Sequence, residues 1–140
     1  MIRYAQEHPK EVIGFVSMNP VPPYTTWIRR AREVQTGEKL QAMEIDFSLG
    51  MNGESIDLRG TDRELTEPIA DDIPYVVMFA EDCPGDFCDR IRPALRAATA
   101  ELSRIGAGGR FVVVPDSGHD IFLSSHGADI ANEIRTPLAR

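Results

Sequence analysis

Residues 110–120 read Arg-Phe-Val-Val-Val-Pro-Asp-Ser-Gly-His-Asp, a short apolar run that leads straight into a turn. The run at residues 111–114 consists of aromatic and β-branched side chains, which favour a strand. Gly118 then allows a tight turn, so we expect His119 at the rim of a sheet, just beyond the end of that strand. Ligands of open α/β sheets bind beyond the carboxyl ends of the strands, so His119 is a candidate catalytic base.

Two further apolar runs, residues 12–18 and residues 75–80, also predict strands. Neither run alternates regularly between polar and apolar side chains. That absence is typical of strands in a parallel sheet that is covered on both faces. Together with residues 111–114, the two runs predict a sheet of about three parallel strands.

Helical patterns surround these strands. Residues 2–7 suit the end of a helix that stops before Pro9, because the residue before a proline is pushed out of helical geometry. Residues 89–105 predict a long helix with one apolar face, made of Ile91, Ala94, Leu95, Ala98, Leu102 and Ile105. Left-handed glycines are expected to end it, namely Gly106, Gly108 and Gly109. A last helix carries the apolar stripe Ala128, Ala131, Ile134 and Leu138. Strands separated by helices imply right-handed crossovers and an α/β fold.

The segment between the first two strands, residues 24–73, has no clear strand pattern and predicts a helical insertion. Thr25 or Thr26 is expected to cap its first helix. A second helix is predicted over residues 38–49, and residues 61–64 fit the capping box of a short third helix.

The composition argues against several kinds of partner. The 140 residues carry 22 acidic and 15 basic side chains, a net charge of −7, whereas nucleic-acid binding needs clustered cations. The basic cluster of Arg29, Arg30 and Arg32 is expected to be a solvated helix face. No apolar run approaches the ~18 residues of a membrane span. Because the first residues also lack a secretory leader, we expect a cytoplasmic location.

Cys83 and Cys88 lie close together in the segment Cys-Pro-Gly-Asp-Phe-Cys. Their spacing leaves open a pair of reduced thiols and a local disulfide, which the Pro-Gly turn would allow. A zinc site usually needs four ligands, and no second Cys or His pair occurs at zinc spacing, so no metal is predicted. The Cys-x-x-Cys spacing of redox motifs is absent, which disfavours a redox role. No organic cofactor is implied either.

Three segments resemble, in the right order, the sixth, seventh and eighth strands of the α/β-hydrolase fold with their flanking residues: residues 3–16, 74–82 and 111–120. The resemblance covers essentially the whole chain and points to the C-terminal half of a serine hydrolase. It implies a partial α/β-hydrolase core in residues 1–23 and 74–140. Residues 24–73 would then form a small helical cap.

The resemblance also implies a catalytic triad of which this chain holds two members. His119 matches the general base and Asp82 matches the acid. Glu81 or Asp86 would replace Asp82 if the strand ends a residue earlier or later. Some members of the family place the acid after the sixth strand, where this chain has Asn19, whose neutral amide favours Asp82 as the acid. The serine nucleophile is absent, since no Gly-x-Ser-x-Gly occurs in the chain.

The activity implied by the resemblance is hydrolysis of carboxylic esters or related small acyl compounds, and the isolated chain is expected to be inactive. The cap is expected to contribute the apolar lining of the substrate pocket through Trp27, Phe47 and Met51. Turn or capping roles are assigned to the serines near His119, which are Ser117, Ser124 and Ser125. His8 and His126 lack the strand-end context of His119.

Two other interpretations stay open. A sheet of three strands leaves an apolar edge exposed, and such edges are usually covered. The chain would then be a non-catalytic interaction module that self-associates, or binds another chain, through its open sheet edge. Alternatively, the same fold serves a dehalogenase or a peroxidase-like activity, and the identity of the missing nucleophile separates these from an esterase.

Overall fold

Three parallel strands form the centre of the structure and lie side by side in the order in which they occur in the chain. The computed structural model describes residues 2–53, 57–65, 67–82, 86–118, 120–121 and 125–138. Within these ranges, β1 spans Phe15–Met18, β2 spans Tyr75–Ala80 and β3 spans Gly109–Val114. The predicted α/β class and the parallel pairing are therefore confirmed.

Strand β2 is the most deeply buried part of the sheet, with no residue more than 5% exposed. It lies between two strands and beneath side chains on both faces, which explains why its sequence shows no polar alternation. Strand β1 begins at Phe15, later than the predicted Val12. The residues before it form a 3₁₀ turn at Pro9–Glu11, and Ile13 is 78% exposed and lies outside the sheet.

Six α-helices accompany the sheet in the described ranges. Their bounds are α1 Ile2–Glu7, α2 Tyr24–Val34, α3 Gly37–Gly53, α4 Leu58–Leu65, α5 Asp86–Leu102 and α6 Gly127–Leu138. Helix α3 continues beyond the predicted Leu49, and α5 begins before Asp89 and ends before Ile105. Thr61 lies inside α4, so the predicted capping box is wrong. In the part of the chain described, no helix is both long and apolar enough to cross a membrane.

The side chains of the sheet alternate between two helical layers, as the pleat of a strand requires. Tyr75 and Val77 pack with α1 and the end of α5 on one face. Val76 packs with α6 on the other face, where Ile130 is the buried contact. Ala128 is exposed, so the apolar stripe of α6 is rotated from the predicted one.

The glycines that follow α5 make room for close packing. Gly106, Gly108 and Gly109 all lie in the described ranges and none has a positive φ, so the predicted left-handed ends are wrong. A Cβ at Gly108 would lie 2.6 Å from the carbonyl oxygen of Ile73. A Cβ at Gly109 would collide with the ring of Tyr75. These positions therefore exclude side chains because the chain passes directly over the start of β2.

The hydroxyl of Tyr75 forms hydrogen bonds with backbone groups at the end of α5. It accepts the backbone N–H of Gly106 at 3.0 Å and lies 3.2 Å from the carbonyl oxygen of Leu102, to which it donates. The ring of Tyr75 also stacks on Phe15 of β1, with centroids 5.0 Å apart. Burial raises the pKa of the Tyr75 hydroxyl, since the charged form would be desolvated. The end of α5 is thus held by hydrogen bonds to Tyr75 of the central strand, and not by left-handed glycines as predicted.

Helix α2 is capped by an acid from another helix. Its N-cap residue is Pro23, so neither Thr25 nor Thr26 has the predicted role. The Oδ1 atom of Asp62 in α4 instead accepts the backbone N–H of Thr25 at 3.0 Å and its hydroxyl at 3.1 Å. A carboxylate at this position satisfies an unpaired N–H and interacts favourably with the helix dipole.

The helical insertion attaches to α5 through an apolar cluster. The fully buried rings of Trp27 in α2 and Phe47 in α3 stack with centroids 4.0 Å apart. They pack against Ile91, Ala94 and Ala98, which confirms the predicted apolar face of the long helix. The division of the chain into a hydrolase core and a cap stays a prediction.

An ionic cluster strengthens the same contact between α2 and α5. Arg29 and Arg30 both donate hydrogen bonds to the carboxylate of Glu101. Arg29 is nevertheless exposed, as the predicted solvated helix face requires, whereas Arg30 is half-buried. Burial by itself raises the pKa of Glu101, but the hydrogen bonds from the two guanidinium groups outweigh it and hold the pKa below its usual range.

We expect Glu101→Gln to lower the free energy of unfolding at pH 7 by about 1–2 kcal/mol, because it removes charge-assisted hydrogen bonds from a carboxylate that is only 22% exposed. The lowered pKa of Glu101 means that its contribution is present above its unfolded pKa and is lost as the pH falls through the folded value. The difference from the native chain should therefore shrink below roughly pH 4. Urea unfolding at several pH values measures it.

The matched control is Glu33→Gln, which removes an exposed partner of the same two arginines. Its effect should stay within about 0.5 kcal/mol. An equal loss in both variants would contradict a special role for Glu101.

Candidate functional site

The carboxyl ends of the three strands meet at one edge of the sheet, which we call the carboxyl edge. Met18 pairs with Met78, and Ala80 pairs with Val114. Residues 81–82, which leave β2, therefore emerge between the ends of β1 and β3. Any acid at this point lies beside both neighbouring strand ends.

The backbone of residues 81–82 is bonded to the segment that follows β3. Glu81 donates its N–H to the carbonyl oxygen of Val114 at 3.1 Å, and Asp82 donates its N–H to that of Ser117 at 2.8 Å. Glu81 is half-buried, whereas the side chain of Asp82 is exposed at the rim. The structure thus brings the backbone of Asp82 to Ser117, which lies two residues before His119 in the sequence.

Ser117 closes the turn after β3. It is 1% exposed, and its Oγ donates to the carbonyl oxygen of Val114 at 2.6 Å, so that carbonyl accepts from both Glu81 and Ser117. Asp116, which precedes it, has a φ of 46°. The Ser117 hydroxyl therefore has the predicted turn role, because it donates its hydrogen bond to Val114.

Asn19 ends β1 at the same edge and also has a φ of 46°. Its backbone N–H donates to the carbonyl oxygen of Met78 at 2.8 Å, and its Oδ1 accepts the backbone N–H of Ala80 at 3.3 Å. Sequence reasoning treated Asn19 only as a neutral residue at an acid position. The signal for its structural role was the residue type, because Asn tolerates the left-handed region better than most residues.

Several predicted site residues lie outside the described ranges. His119 is one of them, and its pairing with Asp82 stays a prediction. Cys83 and Ser124 are also outside, so the state of the two cysteines is equally untested. Residues on both sides of His119 are described, and Gly118 and Asp120 are both exposed.

The two other histidines lie elsewhere. His126, just before α6, has its Nδ1 3.6 Å from the Oδ2 of Asp129, which is too long for a hydrogen bond. His8 follows α1, with its ring centroid 4.6 Å from that of Tyr4 and its Nδ1 3.5 Å from Glu11. Each of the two histidines therefore has a carboxylate close to it in the sequence.

The predicted apolar lining of the pocket needs correction. Trp27 and Phe47 have no exposed surface, because they pack between the insertion and α5. In the part of the chain that the structure describes, these two side chains line no open pocket. The side chain of Met51 lies outside the described part of the structure.

An acid at one strand end is thus tied through its backbone to the segment after the next strand, which is where a carboxylate that orients a general base would be held. Within the described ranges, no group of three or more His, Cys, Asp or Glu side chains is placed to hold a metal ion. Comparisons of the chain with protein-family models, with characterised proteins and with solved structures find no match. The site must therefore be interpreted from its own geometry.

We expect Ser117→Ala to reduce the free energy of unfolding by about 1 kcal/mol, because it removes a buried hydrogen bond while Val114 keeps its bond from Glu81. Urea denaturation followed by circular dichroism measures the change. Gly118→Ala is the control: a Cβ there meets nothing within 4 Å, so its effect should stay within about 0.5 kcal/mol. A larger effect at Gly118 than at Ser117 would show that the turn is not held by the hydroxyl.

Proposed function

We propose that this chain supplies the acid and the base of a serine hydrolase of the α/β-hydrolase superfamily that acts on carboxylic esters or related acyl compounds. The observation that carries the proposal is the hydrogen bond from the backbone of Asp82 to Ser117, two residues before His119. It brings a carboxylate from one strand end to the loop of an imidazole from the next. The parallel order β1-β2-β3 supports the proposal further, because it aligns both loops at one edge.

In the proposed reaction, a serine outside this chain attacks the acyl carbon and His119 accepts its proton. His119 then gives the proton to the leaving alcohol, and water repeats the sequence on the acyl-enzyme. Asp82 holds the imidazole in the correct tautomer and stabilises the imidazolium that forms. Because the chain contains no Gly-x-Ser-x-Gly, the proposal places both the nucleophile and the oxyanion hole outside it.

The proposal predicts that Asp82 raises the pKa of His119, since a nearby carboxylate favours the imidazolium. In Asp82→Asn, the pKa of His119 should fall by about one unit. Two-dimensional ¹H–¹³C NMR titration of the imidazole resonances measures this in the isolated chain. His8 and His126 serve as internal references, because their carboxylate neighbours are Glu11 and Asp129.

Glu81→Gln and Asp86→Asn are the matched variants for the two other acids of the loop. If Asp82 is the acid, neither of them should lower the pKa of His119 as Asp82→Asn does. Unchanged titration of His119 in all three variants would overturn the proposed acid–base pair. The isolated chain should also show no ester hydrolysis, and turnover that His119→Ala abolishes would contradict a nucleophile outside the chain.

A second function is favoured by the open edge of β1. The backbone N–H groups of Phe15 and Asn19 point to β2, so those of Val16 and Met18 point away from it. Met18 is 44% exposed, and a groove of about 210 Å³ runs beside β1. An unpaired parallel strand with apolar surroundings is a site for edge-to-edge association.

A second copy of this chain is the occupant that the charges around this edge favour. The adjoining groove is lined by both signs of charge, from Arg3, Glu7, Arg63 and Glu67, of which Arg3 and Glu7 also pair with each other within the chain. Across a two-fold axis, each patch meets an identical patch in the opposite direction, so cations can face anions. In this alternative the chain is a non-catalytic interaction module that forms a homodimer.

The dimer alternative predicts a defined species of twice the chain mass in size-exclusion chromatography with light scattering. Met18→Lys should give a monomer, because a lysine on an edge strand opposes strand pairing. Val34→Lys is the matched control, since Val34 is similarly exposed, at 46%, but lies at the end of α2. Concentration-independent monomers, or dimers that both substitutions leave intact, would contradict pairing through β1.

A further inference from the structure

Three successive backbone N–H groups at the end of β2 are held by two different segments of the chain. The N–H of Ala80 donates to Oδ1 of Asn19, at the end of β1. The next two, from Glu81 and Asp82, donate to Val114 and Ser117, at and after the end of β3. Residues 80–82 are therefore fixed from the β1 side and from the β3 side where the chain leaves the sheet.

The bond from Ala80 is unusual because a side chain replaces the backbone. In a regular parallel ladder, an N–H at this position would donate to the backbone carbonyl of the residue on β1. Asn19 has a φ of 46°, which lies outside the strand region. Its side-chain Oδ1, and not its backbone carbonyl, accepts the N–H of Ala80. Asparagine suits this place, because it tolerates the left-handed region and carries an acceptor of the right length.

Ala80 cannot easily replace this partner with water. Ala80 is 5% exposed, and an unsatisfied N–H in a buried environment destabilises the conformation that creates it. Without the Asn19 acceptor, the N–H of the peptide between Phe79 and Ala80 loses its partner, and the end of β2 is held only by the segment at and after the end of β3. A shift of this peptide changes the direction of Asp82, which is only two residues beyond Ala80.

We propose that Asn19 is a positioning residue, whose amide oxygen fixes the end of β2 and thereby directs the Asp82 carboxylate. The inference rests on the proposed function, in which Asp82 is the catalytic acid. It changes the interpretation of Asn19: the residue is a structural support for the acid that follows the neighbouring strand. The acid is then held by β1 as well as by the turn that contains Ser117.

Two substitutions separate the acceptor from the backbone conformation. Asn19→Gly keeps a residue that adopts a positive φ but removes the acceptor. Asn19→Asp keeps both the tolerance of the left-handed region and an oxygen acceptor. The matched control is Asp71→Ala, since Oδ1 of Asp71 accepts the backbone N–H of Ala107, also at 3.3 Å, outside the carboxyl edge.

Amide hydrogen exchange and His119 titration are measured by NMR in each variant. We expect Asn19→Gly to raise the exchange rate of Ala80 and Asp82 roughly fivefold, as for the loss of one hydrogen bond. The pKa of His119 should fall by at least half of the fall that Asp82→Asn causes. Asn19→Asp keeps an oxygen acceptor, so exchange of the Ala80 and Asp82 amides should stay as slow as in the native chain despite the added charge. Asp71→Ala should change neither measurement.

The Asp82→Asn arm distinguishes the two proposals. If Asp82→Asn lowers the pKa of His119 but Asn19→Gly does not, the positioning role is overturned and the proposed acid–base pair stands. If Asp82→Asn leaves His119 unchanged, the acid–base pair fails and the positioning role falls with it. Unchanged exchange at Ala80 in Asn19→Gly would also overturn the inference, because the hydrogen bond would then carry no constraint.

Discussion

Burial of β2 on both faces, together with its hydrogen bonds to strands on both sides, is the constraint on which the rest of the structure depends. An apolar strand of this kind is stable only if its backbone groups are paired and both of its faces are covered. The neighbouring strands satisfy the first condition. Helices α1 and α5 on one face and α6 on the other satisfy the second. The positions of all three strand ends follow from the register of β2.

The carboxyl edge shows how the ladder ends without leaving polar groups unpaired. Asn19 and Asp116 both adopt a left-handed conformation immediately after the strands that flank β2. Such conformations cost free energy for residues other than glycine and persist where surrounding contacts fix them. Here the fixing contacts are the hydrogen bonds to Ala80 from one side and around Ser117 from the other. The strained residues lie where Asp82 leaves the sheet.

The sequence predicted those parts of the fold that depend on local patterns. The bounds of β2 and the apolar face of α5 were correct, because runs and periods of apolar residues are local signals. Helix ends were less predictable. The acid that caps α2 is 37 residues from Thr25, and the packing of Gly109 depends on Tyr75 in another strand. At the site, the strand-end rule placed Asp82 beside the His119 loop, but the side-chain bond of Asn19 has no local signature.

The two candidate functions depend on one feature, the outer edge of β1, which no strand of the described residues covers. In the hydrolase proposal, the strands that carry the nucleophile must complete a sheet of which this edge is the exposed limit; in the dimer alternative, a second β1 covers it. In both cases the covering strand lies against Met18, the residue before Asn19. Pairing at this edge restricts the end of β1, and the end of β1 holds Ala80 through Asn19. In the proposed roles, completion of the sheet and the direction of the Asp82 carboxylate are therefore linked, because one short strand carries both contacts.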